Sequence, residues 1–173
     1  DVRRALQPFV PQDNYVIGVL GAVGREKGAD VLEGLAELGK SQNAPFKFKL
    51  IGYSYRLLKV VETTGPYKVQ DLPELIAQHG VSMILFPAQW PETYSYTLSH
   101  ALDSGLPIIA PDLGAFSERL SGRANTLLFN HLQSPAELHA QIASFIDALG
   151  TNGATAPVFQ GDCSEQDFYD QAY

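Results

Sequence analysis

The feature that most narrows what this chain can fold into is an alternation. Short apolar, β-rich runs that stop at glycine or proline are each followed by a stretch of helical period. Residues 15–21 (YVIGVLG) form the first such run, and glycine ends it. A continuous apolar run of this length suits a strand buried on both faces of a parallel sheet. Residues 27–40 follow, with Val31, Leu32, Leu35 and Leu38 on one helical face. Residues 46–52 (FKFKLIG) read as the next strand. Residues 71–79 read as a helix with Pro73 in its first turn, where proline is tolerated. The pattern continues with a strand at 82–86, a helix at 93–104 closed by Gly105, a strand at 106–110 and a short one at 127–129. Ser134 is a suitable N-cap for a last helix from Pro135 to about Leu149, stopped by Gly150.

This alternation predicts an α/β domain: a Rossmann-like parallel sheet with helices on both faces, spanning residues 1–150. Residues 151–173, polar and then aromatic, are expected to be a tail or helix that packs on this domain or on another. A hydrophobic fraction of 45% is enough for one core. The net charge of −7 argues against nonspecific nucleic-acid binding, which needs excess cations to displace counterions. The single cysteine, Cys163, excludes an internal disulfide framework and a multi-cysteine metal site. No apolar run approaches the ~20 residues of a spanning helix. The chain opens with Asp1 rather than Met, and we read it as a domain excised from a longer protein.

Doubly wound sheets bind ligands at the carboxyl ends of their strands, so function is expected in the loops that follow the strands. The first runs from Gly21 through Gly24, Arg25 and Lys27 to Gly28. Its glycines permit close backbone approach, and the helix behind it offers free amides. With Arg25 and Lys27 added, the loop suits a diphosphate. The same residues also make an ordinary glycine-rich turn with solvated cations, and the loop is neither G-x-G-x-x-G nor a P-loop.

The central loop, WPETYSYTLSHALDSGLP, is richer. Thr93, Ser95 and Thr97 place hydroxyls and backbone amides at a helix start, which can hold phosphate without a lysine. Glu92 repels phosphate but can accept hydrogen bonds from sugar hydroxyls beside it. His100 lies eight residues later, about two helical turns on. Glu92 also reads as a plain helix cap and His100 as a partly buried helix residue, the latter being favoured on spacing alone.

These residues resemble a known family. Pro91-Glu92-Thr93-Tyr94-Ser95 leading to Gly105-Leu106-Pro107 is similar to the P-E-G-F-G to G-x-P-V-V-A signature of group 1 retaining glycosyltransferases of the GT-B fold. Gly114-Ala115-Phe116-Ser117-Glu118 resembles their G-G-x-x-E element, and the first loop resembles theirs, which ends in E-K-G. The ordered match covers nearly the whole chain and corresponds to the C-terminal half of such enzymes. The resemblance implies a nucleotide-diphospho-sugar donor site and a partner, an N-terminal acceptor domain, not contained in this sequence. Lys27 would contact the diphosphate, with Gly21 and Arg25 beside it. The amides of Ser95, Tyr96 and Thr97 would cap the distal phosphate, and Glu92 would hold the donor sugar. The base would lie near Tyr67 and the ribose near His100. Transfer would proceed with retention, to a bacterial surface polysaccharide or glycolipid, with no metal or cofactor. The location implied is cytoplasmic, with peripheral membrane association left open for the full-length protein.

The chain departs from the pattern at two places. Ala22 stands where an arginine is usual, and His100 replaces the second glutamate of the family's E-x7-E pair. These departures motivate a second hypothesis, a degenerate nucleotide-binding or regulatory module of the same fold. A sugar-nucleotide epimerase, a third reading, would be expected to carry G-x-G-x-x-G.

Overall fold

A computed structural model describes residues 6–152 and the backbone of 159–160. Its seven strands form one parallel sheet in the order β3-β2-β1-β4-β5-β6-β7. In chain order the elements are β1 (Tyr15–Val23), α1 (Ala29–Ser41), β2 (Phe46–Ser54), β3 (Glu62–Thr63), α2 (Leu72–Gln78), β4 (Met83–Leu85), α3 (Tyr96–Ser104), β5 (Ile108–Pro111), α4 (Ala115–Leu120), β6 (Thr126–Phe129), α5 (Pro135–Asn152) and β7 (Phe159–Gln160). The chain winds outward from β1 to β3, then crosses back to lay β4 on the other side of β1. A crevice therefore opens at the carboxyl ends of β1 and β4, where the winding reverses.

The sheet is covered on both faces because side chains alternate along each strand. Ile17 and Val19 of β1, Leu50 of β2, Met83 and Leu85 of β4, and Ile109 of β5 point into one core, completed by Leu32 and Leu35 of α1 and Ile142 and Phe145 of α5. Leu20, Ile51, Ile84, Ile108 and Leu128 point into the other, against Leu72, Leu98, Leu102 and Phe116. The strand residues are fully or almost fully buried on both sides, which is why their sequences read as continuous apolar runs.

Several boundaries differ from expectation. Helix α3 starts at Tyr96 rather than at residue 93, because Ser95 has φ 62° and interrupts the helical path. Helix α1 starts at Ala29 rather than at residue 27, behind a left-handed Gly28. Helix α5 runs through Gly150 to Asn152; one glycine near a helix end weakens it without stopping it. Its start is as expected: the Ser134 hydroxyl accepts from the Glu137 amide (3.2 Å) and the Ser134 amide donates to the Glu137 carboxylate (3.0 Å). Strand β3 and helix α4 were not anticipated; each is too short to carry a readable period. Within the tail, residues 159–160 pair in parallel with β6 of this domain, and Phe168, Tyr169 and Tyr173 lie outside the described residues.

Candidate functional site

Three loops meet at the carboxyl edge of the sheet, and glycines let them meet. Gly28 (φ 88°) sits so close to the loop after β4 that a Cβ there would lie 1.8 Å from the Pro87 carbonyl oxygen. The Gln89 amide donates to the Glu26 carbonyl at 2.8 Å, binding the same two loops together. From the other side, Gly114 (φ 53°) brings the start of α4 against Glu92. A Cβ there would lie 2.8 Å from the Glu92 carbonyl oxygen, which instead accepts from the Ala115 amide at 2.9 Å.

This framing aims the side chains. Lys27 Nζ lies 3.9 Å from Glu92 Oε1, with the lysine half-exposed and the glutamate more sheltered. Both line a shallow recess with Thr97, over Val19, Leu20 and Phe86. Glu92 stands four residues ahead of α3 and does not cap it; its carboxylate faces the cation of the first loop. Ser95 is the N-cap residue by position, but among the described residues no side-chain cap hydrogen bond reaches the α3 amides. Its hydroxyl lies 3.3 Å from that of Thr97. The uncapped end of α3 thus presents donors and the positive end of its dipole beside Lys27.

Gly21, Tyr67 and Thr97 also converge. A Cβ on Gly21 would meet Thr97 Cγ2 at 3.3 Å and the Tyr67 hydroxyl at 3.9 Å. Burial pushes the Tyr67 phenol up, so it remains a neutral hydroxyl able to donate or accept.

Arg25 and His100 are not in this cluster. Arg25 leans over the Tyr55 ring, 5.8 Å from its centroid, with Nε 3.9 Å from Asp30. Tyr55 and Asp30 together raise its pKa. Asp30 is itself held below the usual carboxylate range by Arg56, which also ties Glu33 at 2.6 Å. His100 lines a separate cavity between α2 and α3, with Leu72, Ile76, Val81 and Asp103. The two-turn spacing that linked it to Glu92 does not apply, because Glu92 precedes the helix. Ala22 is exposed and lies opposite Tyr53 in the β1–β2 register.

The sequence reading missed Arg119. From α4 its Nη1 donates to the carbonyls of Tyr94 and Ser95, both at 2.9 Å, and its Nη2 to the Ser99 hydroxyl at 2.8 Å. Its guanidinium also sits 4.4 Å from the Tyr94 ring centroid. One signal was available: Ser95 occupies the second glycine of the P-E-G-F-G pattern, so a positive φ was foreseeable and something had to hold it.

Fold and site together define a doubly wound α/β domain with a cation, a carboxylate and uncapped helix amides at the crevice of its sheet, an arrangement suited to a ligand with a diphosphate. The sequence matches the family described as glycosyl transferases group 1 over residues 14–148. The chain belongs to that family. Among solved structures it is similar to Anabaena HepE in complex with UDP and glucose (20% identity, TM-score 0.65, covering 83% of this chain and 41% of that one). It is also similar to the C-terminal domain of LpcC, a group 1 family glycosyl transferase from Francisella tularensis (16%, TM-score 0.60, covering 80% and 85%). A third is WaaG, a glycosyltransferase involved in lipopolysaccharide biosynthesis (20%, TM-score 0.57, covering 79% and 39%). At these identities the likeness concerns the fold. The chain spans less than half the length of the HepE and WaaG chains. No curated protein sequence matches it.

Proposed function

We propose that this domain binds the nucleotide-diphospho-sugar donor of a group 1 glycosyltransferase and acts in transfer with a second, acceptor-binding domain. The observation that carries this reading is the convergence of Lys27, Glu92 and the uncapped α3 amides where the winding of the sheet reverses. Lys27 and the amides of Tyr96 and Thr97 stabilise charge that develops on the leaving diphosphate, an electrostatic role strengthened where water is excluded. Glu92 accepts hydrogen bonds from donor-sugar hydroxyls. Tyr67 lies beside Gly21 and Thr97, in reach of the nucleoside. HepE, of the same fold, is described with UDP and with UDP-glucose, which favours a uracil nucleotide as the first to test.

We further propose transfer with retention, to a bacterial surface polysaccharide or glycolipid, in the cytoplasm. No metal or cofactor is invoked, because protein cations and helix amides supply the charge. The experiment is made on the enzyme with its acceptor domain present. Glu92→Ala should lower kcat about a hundredfold, the scale of losing one polar contact made at the transition state, with an unchanged melting temperature. Wild-type turnover in that variant would remove Glu92 from the donor site. Transfer should also survive EDTA; abolition by chelator and restoration by a divalent cation would show that a metal shares the charge.

A specific observation favours keeping the second reading, a module that binds nucleotide without turnover. His100 lines the α2–α3 cavity, away from Glu92, and Ala22 brings no charge to the first loop. On that reading a full-length protein would bind a nucleotide diphosphate yet transfer no sugar from any donor offered.

A further inference from the structure

The turn before α3 is held in a conformation its own sequence does not favour. Ser95 is buried at φ 62°, a region L-residues other than glycine adopt rarely. Yet the direction of the α3 amides depends on this residue, because it is the last one before the helix. The Ser95 hydroxyl does not fold back onto those amides as an N-cap side chain ordinarily does; it turns to the Thr97 hydroxyl. The turn is therefore fixed from outside, and the group that reaches it is a guanidinium from α4.

We propose that Arg119 is a positioning residue for the donor site: it clamps the Tyr94 and Ser95 carbonyls and the Ser99 hydroxyl, so that Ser95 keeps its positive φ and the α3 amides face the donor's diphosphate. The inference rests on the donor-site reading above and adds to it the residue that makes the amide cradle rigid.

The geometry argues for holding rather than for contact. One Nη reaches two successive carbonyls and the other a hydroxyl one turn into the helix, at 2.8–2.9 Å. Only a planar fork with donors in fixed directions bridges such a set. The plane also lies against the Tyr94 ring at 4.4 Å, so the residue before Ser95 is gripped by its side chain and its carbonyl together. A second attachment from the same short helix, the Ala115 amide on the Glu92 carbonyl at 2.9 Å, fixes the other end of the loop. Helix α4 thus pins both Glu92 and the α3 start, and the carboxylate for the sugar and the amides for the phosphate are set by one element.

A clamp and a plain electrostatic contribution differ in what repairs them. Lysine keeps the charge but cannot bridge two carbonyls and a hydroxyl. Glycine at position 95 adopts positive φ without strain and would lessen the need for the clamp.

The test uses four variants, Arg119→Met, Arg119→Lys, Ser95→Gly and the double variant Arg119→Met/Ser95→Gly, titrated calorimetrically with UDP, GDP, dTDP and ADP. The nucleoside of whichever diphosphate binds is titrated as a control. Arg119→Met should weaken diphosphate binding about tenfold, the scale of losing charge-assisted hydrogen bonds, while nucleoside binding stays constant. Arg119→Lys should lose nearly as much. The double variant should recover most of the loss, and Ser95→Gly alone should bind at least as tightly as the parent. If Arg119→Met fails to fold, Arg119→Lys and the double variant carry the comparison. Full retention of diphosphate affinity in Arg119→Lys and Arg119→Met, or a loss that Ser95→Gly does not repair, overturns the clamp and leaves the donor site standing. Failure of the parent protein to bind any of the four diphosphates overturns the donor-site reading and the clamp with it.

Discussion

Gly28 shows how a single residue can carry both the fold and the site. With φ 88° and the Pro87 carbonyl where its Cβ would be, it accepts no side chain unless the first loop separates from the loop after β4. Gly28→Ala should therefore destabilise the domain by more than about 3 kcal/mol, at the upper end of ordinary point changes. Chemical denaturation measures this, and a loss below about 1 kcal/mol would show that the loops yield easily. Lys27, one residue earlier, behaves oppositely. Its ammonium is half-exposed and lies 3.9 Å from Glu92, so Lys27→Ala should leave the melting temperature unchanged while weakening the binding of diphosphates. His139 adds a pH dependence unrelated to the site. Its ring packs 4.9 Å from Phe46, and Nε2 finds no hydrogen-bond partner among the described residues. Burial holds its pKa below the ordinary imidazole value. The unfolded chain binds a proton that the fold refuses, so stability is complete above about pH 6.5 and falls as pH drops through the depressed folded value. Burial shifts His131 in the same direction. Melting temperatures between about pH 7 and pH 5 should decline less steeply in His139→Leu than in the parent; identical slopes would mean His139 is not a source of the effect.

At the scale of elements, legibility followed length and burial. The long strands β1 and β2 and helices α1 and α5 were visible because their apolar residues repeat over enough positions to define a period. Strand β3 has two residues and helix α4 six, too few for any period, and both are fixed by tertiary contacts. The start of α3 was misplaced for a different reason. Pro91, Glu92 and Thr93 all favour a helix beginning, and the residue that delays it, Ser95, carries no intrinsic preference for positive φ. What reaches Ser95 is Arg119, which donates to its carbonyl across 24 positions of sequence. The Ser134 cap of α5 was readable because its partner, Glu137, lies only three residues away. Ser134→Ala should cost about 1 kcal/mol of stability, the usual worth of such a cap, without affecting nucleotide binding. A change in ligand affinity there would show that α5 communicates with the crevice.

For the molecule as a whole, the parallel sheet fixes where ligands can bind before any side chain is considered, because one edge collects every loop that follows a strand. The site was partly legible for this reason. Lys27, Glu92, Gly21, Tyr67 and the α3 amides lie in loops that this edge gathers, and their meeting follows from the topology. Arg25 was assigned to the site as a charge of the first loop, and His100 by its place in the family's E-x7-E pair. The structure sends Arg25 to Asp30 and Tyr55, and His100 to the α2–α3 cavity. Among the described residues no helix is long and apolar enough to cross a membrane. The central claim is that the crevice holds a nucleoside diphosphate by its phosphates, and the most direct test is a calorimetric titration of this domain with UDP, GDP, dTDP and ADP, repeated on Lys27→Ala. The account predicts selective binding of one of them, weakened about tenfold or more by the loss of the lysine, as for other charge-assisted contacts. Binding that is indifferent to Lys27, or no binding by the folded domain, would contradict it.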